Sequence, residues 1–367
     1  MSLSPSLSAT LAPTRQLRCL LLSSVNISQV QYPANLERPV KDYELFSQTF
    51  QTGIVDIKNY QQVRSLGMTI AKRAGLGWAL AAAAVRQAKD YDAIIALSDD
   101  VGVTAGVLMQ FAPYRIPVFV ITQNMHGRRP KLLIGKLHLT GAIAKFLCLV
   151  TQQVDLLRDQ YQVPPDKIAL IEYHVDHTFY RPMPEIPAKR QIASAGMTHR
   201  DYVTLMRATR DLGVPVKIEA QSAWLDKVVK ISPRELHPMV EVGSRGTSAG
   251  LRELYAESEI IVVPLEQTPV VAGFSTILEG MAMAKPVIAS RIPMIGSFIE
   301  DGVDGLLVTP ERPDELRAKI RFLLDNPAEA RRMAERAHQK VLARYTLDHY
   351  TQRIATQITT TLASKPS

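Results

Sequence analysis

The chain has 367 residues, which is too long for one compact core and suits two domains of roughly 150 residues each. Apolar residues make up 46% and charged residues 21%, a composition that excludes a largely disordered chain. The 43 basic and 35 acidic residues leave a net charge of +8. That excess favours an anionic ligand or surface but does not choose among nucleotide phosphate, anionic lipid and nucleic acid.

The first 14 residues are rich in Ser, Pro and Thr and predict a disordered tail. They contain neither a basic n-region nor an apolar h-region, so the pattern does not predict a signal peptide. No apolar run reaches the roughly 18 residues of a membrane span. Cys19 and Cys148 both lie in apolar runs and are predicted to be buried thiols in a reducing compartment. We therefore expect a cytoplasmic protein.

Short apolar runs alternate with helix-like segments through the first half of the chain. They are continuous rather than alternating in polarity, which is typical of strands buried on both faces of a parallel sheet. An Ala-rich segment at 79–89 is one of the predicted helices between them. The predicted strands are 18–25, 54–57, 92–98, 117–122, 146–151 and 168–172.

A proline-rich segment then interrupts the pattern. Pro182, Pro184 and Pro187 are too closely spaced for a helix or a central strand, and they indicate a stiff connection. We therefore predict an N-terminal domain at 15–181 and a linker at 182–190.

The strand–helix alternation restarts after the linker, and the chain ends in predicted helices at 313–325, 327–344 and 347–362. The second set of predicted strands is 192–196, 214–219, 240–242, 259–264, 286–290 and 305–308. These elements predict a C-terminal domain at 191–345 and a helical segment at 346–367 that returns to the N-terminal domain. The predicted fold class is α/β, with two Rossmann-like, doubly wound domains facing each other across a ligand-binding cleft.

Residues 262–310 carry the clearest chemical signal. A strand ends at Pro264, and a loop leads to a helix predicted at 276–283 with Ser275 as its N-cap. Gly273 would let a ligand approach the backbone. The free N–H groups and positive dipole end of this helix favour an anion. Glu279, about one turn further on, is placed to accept hydrogen bonds from a sugar diol.

This segment resembles the donor-binding segment of the family 4 glycosyltransferases, which are retaining enzymes with the GT-B fold. The resemblance rests on PLE at 264–266, AGFSTILEGMAMAKPVIAS at 272–290 and GSFIEDGVDGLLVTP at 296–310. It extends more weakly back to about residue 90. It implies transfer of a sugar, of the hexosyl type, from a nucleotide-sugar donor with retention at the anomeric carbon. It implies no cofactor and no metal requirement.

The resemblance also implies roles for individual residues. Glu279 matches the second glutamate of the family's E-x7-E motif, which contacts the nucleotide ribose. His126 and Arg200 are the predicted catalytic residues: His126 resembles the family's cleft histidine, and Arg200 lies about where the family has a diphosphate-binding lysine. The full predicted donor-binding set is Gly196, Arg200, Glu266, Gly273, Phe274, Ser275, Thr276 and Glu279.

The chain departs from the family pattern at two places. Val271 stands where the first glutamate of the motif is expected, with Glu266 as a substitute from the same loop. The arginine that usually follows the glycine is absent, since Met197 follows Gly196. Two alternatives to a transferase therefore stay open: a nucleotide-sugar epimerase of the same fold, and a catalytically silent nucleotide-sugar-binding scaffold.

Two further patterns each have a functional and a structural interpretation. His174 and His177 lack a third ligand in the sequence, so we interpret them as packing and turn residues rather than as a metal site. The segment 126–145 has five basic and no acidic residues. It is interpreted as a helix of the N-terminal domain with its leucines in the core, and the alternative is an amphipathic helix on an anionic membrane surface. Nucleic acid is not expected as a partner because aromatic residues are not interleaved with these charges.

Overall fold

The computed structural model describes residues 16–30, 32–33, 35–62, 69, 72–220, 234–269 and 271–364. The predicted N-terminal tail lies outside these ranges. The described residues form two six-stranded sheets, one before and one after the proline-rich segment. Every pair of neighbouring strands in both sheets is parallel, as the predicted fold class requires.

The first sheet has the strand order β2-β1-β3-β4-β5-β6. Its strands are β1 Arg18–Leu22, β2 Gln51–Val55, β3 Ala93–Ala96, β4 Val118–Ile121, β5 Ile143–Cys148 and β6 Ile168–Leu170. Its helices are α1 Asp42–Thr49, α2 Leu76–Gln87, α3 Asp99–Met109, the short α4 Arg128–Pro130 and α5 Thr151–Asp155. The last two continue as π-helical turns at Lys131–Lys136 and Leu156–Gln160.

The second sheet has the order β12-β11-β10-β7-β8-β9. Its strands are β7 Lys189–Ala195, β8 Val216–Glu219, β9 Val240–Gly243, β10 Ser258–Val263, β11 Val287–Ser290 and β12 Leu306–Val308. The helices that follow are α6 Tyr202–Thr209, α7 Ser248–Glu257, α8 Phe274–Ala282, α9 Pro313–Asp325, α10 Pro327–Arg344 and α11 Leu347–Ala363. Short 3₁₀ turns occur at Tyr60–Gln62, Ala88–Asp90, Pro165–Lys167 and Pro293–Ser297.

Each sheet is covered by an apolar cluster on both of its faces. Cys19 and Cys148 are fully buried in the clusters of the first sheet, and burial raises the pKa of each thiol to about 12. Both thiols are therefore protonated and poorly reactive at neutral pH.

The last helix, α11, packs on the first sheet although it follows the second one in the chain. Leu347, Tyr350, Ile354 and Ile358 are buried in the same cluster as Leu21 and other side chains of β1, β3, β4 and β5. Burial of each such aliphatic side chain stabilises the fold by about 1.5–3 kcal/mol. These residues recur at the spacing of a helix, so they form one apolar face, and this face is the one that is buried.

The two passages of the chain between the sheets run side by side. The Val175 amide donates to the Tyr345 carbonyl over 2.8 Å, and the Leu347 amide donates to the Val175 carbonyl over 3.0 Å. The proline-rich segment contains a turn, in which the Ile186 amide donates to the Met183 carbonyl over 3.1 Å, and β7 begins at Lys189, inside the predicted linker. Lys189 and Arg190 are exposed polar residues at the start of this strand, so the apolar pattern alone did not include them.

Candidate active site

The carboxyl ends of both sheets face a cleft that contains two adjoining chambers. The C-terminal chamber, of about 400 Å³, is lined mainly by the second sheet and its helices. The N-terminal chamber, of about 230 Å³, lies at the ends of β3, β4 and β5. Both chambers are lined by Pro39, Lys41, Tyr180, Ser275 and Glu279. The cleft thus joins a site on one domain to a site on the other.

Helix α8 begins at the junction of the two chambers. Its N-cap is Gly273, in the left-handed region at φ 81°, and no side chain caps the helix. A Cβ at this position would lie 3.0 Å from Leu265 Cδ1, so glycine meets both the backbone and the packing requirement. The first amide groups of such a helix are available to an anion.

The prediction that Ser275 is the N-cap is wrong. The left-handed turn at Gly273 starts the helix earlier, at Phe274, and Ser275 lies in its first turn. There the Ser275 hydroxyl is 3.1 Å from the Tyr173 hydroxyl, across the cleft. Phe274 is buried against Phe298, with ring centroids 4.6 Å apart, so it supports the turn from below and does not line either chamber.

Gly196 and Arg200 form a second turn, at the end of β7. Gly196 has φ 104°, and a Cβ there would lie 2.3 Å from Arg200 Nη2. The Arg200 guanidinium donates to the carbonyls of Ala195 and Thr198, each over 2.8 Å, and to Thr276 Oγ1 over 3.1 Å. Arg200 thus ties β7 to the start of α8 from behind the chamber wall, and Gly196, not Arg200, lines the chamber.

Glu279 is the carboxylate at the centre of the cleft. It accepts a hydrogen bond from the Tyr255 hydroxyl over 3.1 Å. Burial raises its pKa, while the hydroxyls of Tyr255 and Tyr180 and the positive charges of Lys41 and Arg200 act in the opposite direction. The pKa of each of these tyrosines is raised by burial and by the Glu279 carboxylate, so both remain hydrogen-bond donors.

Glu266, predicted to line the donor site, lies outside both chambers. It is exposed and pairs with His199, with 3.3 Å between His199 Nδ1 and Glu266 Oε2. Val271, at the position of the missing glutamate, packs against the core of the C-terminal domain. Neither Glu266 nor Val271 is among the described residues that line the chambers, so the loop supplies no carboxylate in place of the missing glutamate.

His126, the other predicted catalytic residue, is exposed in the turn after β4 and is not among the residues that line either chamber. A different histidine, His174, lines the N-terminal chamber. Its ring lies against Tyr173 and Tyr350, with centroid distances of 5.3 and 4.1 Å. Its buried Nδ1 has no hydrogen-bond partner among the described residues, and burial lowers its pKa, so the ring is neutral at pH 7.

The segment before α1 reaches the cleft from the N-terminal domain. Glu37 forms an ion pair of 2.6 Å with Arg252 of the C-terminal domain, and the Val40 amide donates to Asp176 Oδ2 over 2.8 Å. These contacts place Lys41 where it lines both chambers. No sequence pattern pointed to this segment, since its position depends on contacts between distant residues.

The basic segment 126–145 does not form one helix. It contains α4 with its π-helical continuation, a turn, and then β5 from Ile143. Leu133 and Ile134 are buried, whereas Leu132 and Leu137 are exposed. The Lys145 ammonium donates to the Asp166 carbonyl. Because the strand begins inside the segment, a continuous amphipathic face does not form.

The structure separates the two histidines that were interpreted together, since His174 lines the N-terminal chamber. The described residues contain no cluster of three or more His, Cys, Asp or Glu side chains placed to hold a metal ion, and His177 does not line either chamber.

Within the part of the chain that the structure describes, no helix is long and apolar enough to cross a membrane.

Comparison with known proteins agrees with this architecture. Residues 228–340 match the family described as Glycosyl transferases group 1. A glycosyltransferase from Rickettsia africae superimposes with a TM-score of 0.68 at 16% identity, over 96% of this chain and 100% of the other. The chain has the GT-B fold and carries a group 1 glycosyltransferase segment. The matched segment includes the start of α8, Glu279 and the last strands of the second sheet.

Two further proteins are similar to this chain. The alpha-D-kanosaminyltransferase of Streptomyces kanamyceticus is 26% identical over 231 residues, which are 57% of this chain and 58% of that enzyme. The match therefore spans less than two thirds of that relative. Anabaena HepE in complex with UDP-glucose superimposes with a TM-score of 0.71 at 15% identity, over 94% of this chain and 100% of HepE.

Proposed function

We propose that this protein is a retaining glycosyltransferase that moves a sugar from a nucleoside-diphosphate sugar to an acceptor. The observation that carries the proposal is the open start of α8 at the junction of the two chambers. It coincides with the segment that matches the group 1 glycosyltransferases. The HepE complex with UDP-glucose supports a donor of this class.

In this proposal the diphosphate lies over the amide groups at the start of α8, between Gly196 and Thr276. The nucleoside occupies the C-terminal chamber, where Glu279 accepts hydrogen bonds from the ribose diol. Arg200 stabilises the negative charge that builds on the leaving phosphate, acting from behind Thr276. Stabilisation of developing charge by preorganised groups is commonly the largest catalytic contribution.

The transferred sugar and the acceptor then meet in the N-terminal chamber. As the bond from the anomeric carbon to the phosphate oxygen breaks, the acceptor oxygen bonds to that carbon on the same face. The departing phosphate takes the acceptor's proton, which balances the step without a protein nucleophile. His174 lines this chamber, and in this proposal it contacts the transferred sugar or the acceptor. We propose that neither a cofactor nor a metal ion is required.

A panel of nucleotide sugars tests the proposal. A ligand that binds the folded state raises the melting temperature by mass action, so we expect one or a few donors to do so at millimolar concentration. The best donor is then incubated alone and with a pool of glycan, lipid and small-molecule acceptors, and products are followed by NMR. We expect a new glycoside with the anomeric configuration of the donor.

The other outcomes separate the alternatives. Conversion of the donor without an acceptor would indicate an epimerase, and binding without turnover would indicate a silent scaffold. The family and the enzyme that this chain resembles are transferases, so neither alternative is favoured. Absence of a melting shift with every nucleotide sugar would contradict the proposal.

A further inference from the structure

Lys41 is the only lysine or arginine among the described residues that line the two chambers. It belongs to the N-terminal domain, directly before α1, and faces the donor site of the opposite domain. The carboxylates that line the C-terminal chamber are Glu219 and Glu279. One Glu219 oxygen accepts a hydrogen bond from the Arg245 amide over 2.8 Å. A diphosphate entering this chamber would therefore meet carboxylates and one ammonium group.

Arg200 alone does not meet the need for a positive charge at the chamber surface. Three hydrogen bonds direct its guanidinium toward Ala195, Thr198 and Thr276, out of the five N–H groups that arginine carries. The residue after Gly196 is Met197, which offers no charge. Any further cation that contacts a diphosphate in this chamber would therefore come from another residue of the cleft.

The backbone at Lys41 is held in place from both sides. Its amide donates to Glu44 Oε2 over 2.8 Å, and Glu44 forms an ion pair of 2.6 Å with Arg38. On the preceding side, the Val40 amide donates a hydrogen bond to Asp176, and Glu37 forms an ion pair with Arg252. The long lysine side chain thus extends into the cleft from a fixed point, with Glu279 as a neighbouring charge.

We propose that Lys41 contacts the donor diphosphate across the cleft and supplies the second positive charge that the leaving group requires. This inference rests on the proposed function. In the absence of donor, burial lowers the pKa of the Lys41 ammonium group, and the neighbouring Glu279 carboxylate acts in the opposite direction. When donor binds, its phosphates contact the Lys41 ammonium group. A residue of the N-terminal domain then contacts a ligand that the C-terminal domain holds.

Calorimetric titration with UDP, GDP and ADP, each beside its nucleoside, tests this role. The parent is compared with Lys41→Met, Lys41→Arg and the control Lys58→Met, which alters an exposed lysine outside the chambers. We expect Lys41→Met to bind the preferred diphosphate at least about tenfold more weakly, with unchanged binding of the nucleoside. Lys41→Arg should retain most of the affinity, and Lys58→Met all of it.

The two possible failures are distinguishable. If the parent binds a diphosphate and Lys41→Met binds it equally well, the role of Lys41 is overturned while the proposed function stands. If the parent binds none of the three diphosphates, both fall together. Far-UV circular dichroism and melting curves establish that the variants fold, and Lys41→Gln, which also removes the charge, replaces Lys41→Met if that variant does not fold.

Discussion

At the residue scale, the cleft depends on Gly196, whose positive φ would strain any other residue. Gly196 combines φ 104° with a position where a Cβ would meet the Arg200 guanidinium at 2.3 Å, whereas Gly213 has φ 64° and nothing within 4 Å. Replacing either glycine introduces backbone strain, but only the change at Gly196 would also displace Arg200 from the start of α8.

We therefore expect Gly196→Ala to lower the free energy of unfolding by about 1–3 kcal/mol and to weaken binding of the donor. Gly213→Ala should carry the cost of backbone strain alone, about 1–2 kcal/mol, with unchanged affinity for the donor. Urea denaturation and calorimetry measure the two effects. Equal loss of donor affinity in both variants would contradict the account of Gly196.

The buried carboxyl group of Glu279 is expected to lower the stability of the fold while it strengthens binding of the nucleotide. Burial raises the pKa of its carboxyl above the ordinary 4.5, so the folded state holds the proton to higher pH than the unfolded chain does. The parent therefore loses stability from this group as pH rises from about 4.5 through the raised pKa. Glu279→Gln avoids this loss and can still accept a hydrogen bond from Tyr255.

The expected result is that Glu279→Gln is more stable than the parent at pH 7 but shows no such gain below pH 4.5. Its affinity for nucleotide should fall, because a neutral amide accepts more weakly from a ribose diol. Glu253→Gln, at an exposed position of α7, serves as the control. A constant stability difference across this pH range would argue against a raised pKa at Glu279.

At the element scale, the last helix shows how a sequence pattern becomes tertiary structure. The face of α11 that contains Ile354 and Ile358 is buried against the first sheet. Ile354→Ala should lower the free energy of unfolding by about 2–5 kcal/mol, measured by urea denaturation. Gln352→Ala, on the exposed face, should change it by no more than about 0.5 kcal/mol. A similar small effect at Ile354 would mean that the helix does not stabilise the N-terminal domain.

Elements with strong local signals were predicted well. All twelve predicted strands overlap observed ones, and the helices at Pro313–Asp325 and Pro327–Arg344 have the predicted bounds, because continuous apolar runs and first-turn prolines are local features. The basic segment 126–145 was predicted wrongly. Its leucines mimic helical spacing, but pairing of β5 with β4 from Ile143 onward outweighs that local preference.

The site was predicted less completely than the fold. Residues at the start of α8 and Glu279 could be found because they lie within one continuous motif. Lys41, His174 and Tyr180 could not be found in this way, since they reach the cleft from loops whose direction depends on tertiary contacts. The same reason explains why His126 and Glu266 follow strands as predicted but do not line the chambers.

At the scale of the whole molecule, function is expected to depend on both domains together. The C-terminal domain supplies the start of α8 and Glu279, while the N-terminal domain supplies Lys41 and most of the second chamber. The two chain passages between the domains are hydrogen-bonded to each other at Val175. Ion pairs of Glu172 with Arg344 and Arg353 lie beside this connection, which holds the two halves of the cleft in register.

The central claim is that a nucleoside-diphosphate sugar binds at the start of α8, and calorimetric titration of Thr276→Glu tests it most directly. A carboxylate at this position would oppose the phosphates, so we expect binding of the preferred donor to be lost. Thr359→Glu, which adds the same charge at an exposed site on α11, should bind as the parent does. Thr276→Val separates loss of the hydroxyl that Arg200 contacts from the added charge. Unchanged donor affinity in Thr276→Glu would contradict the account.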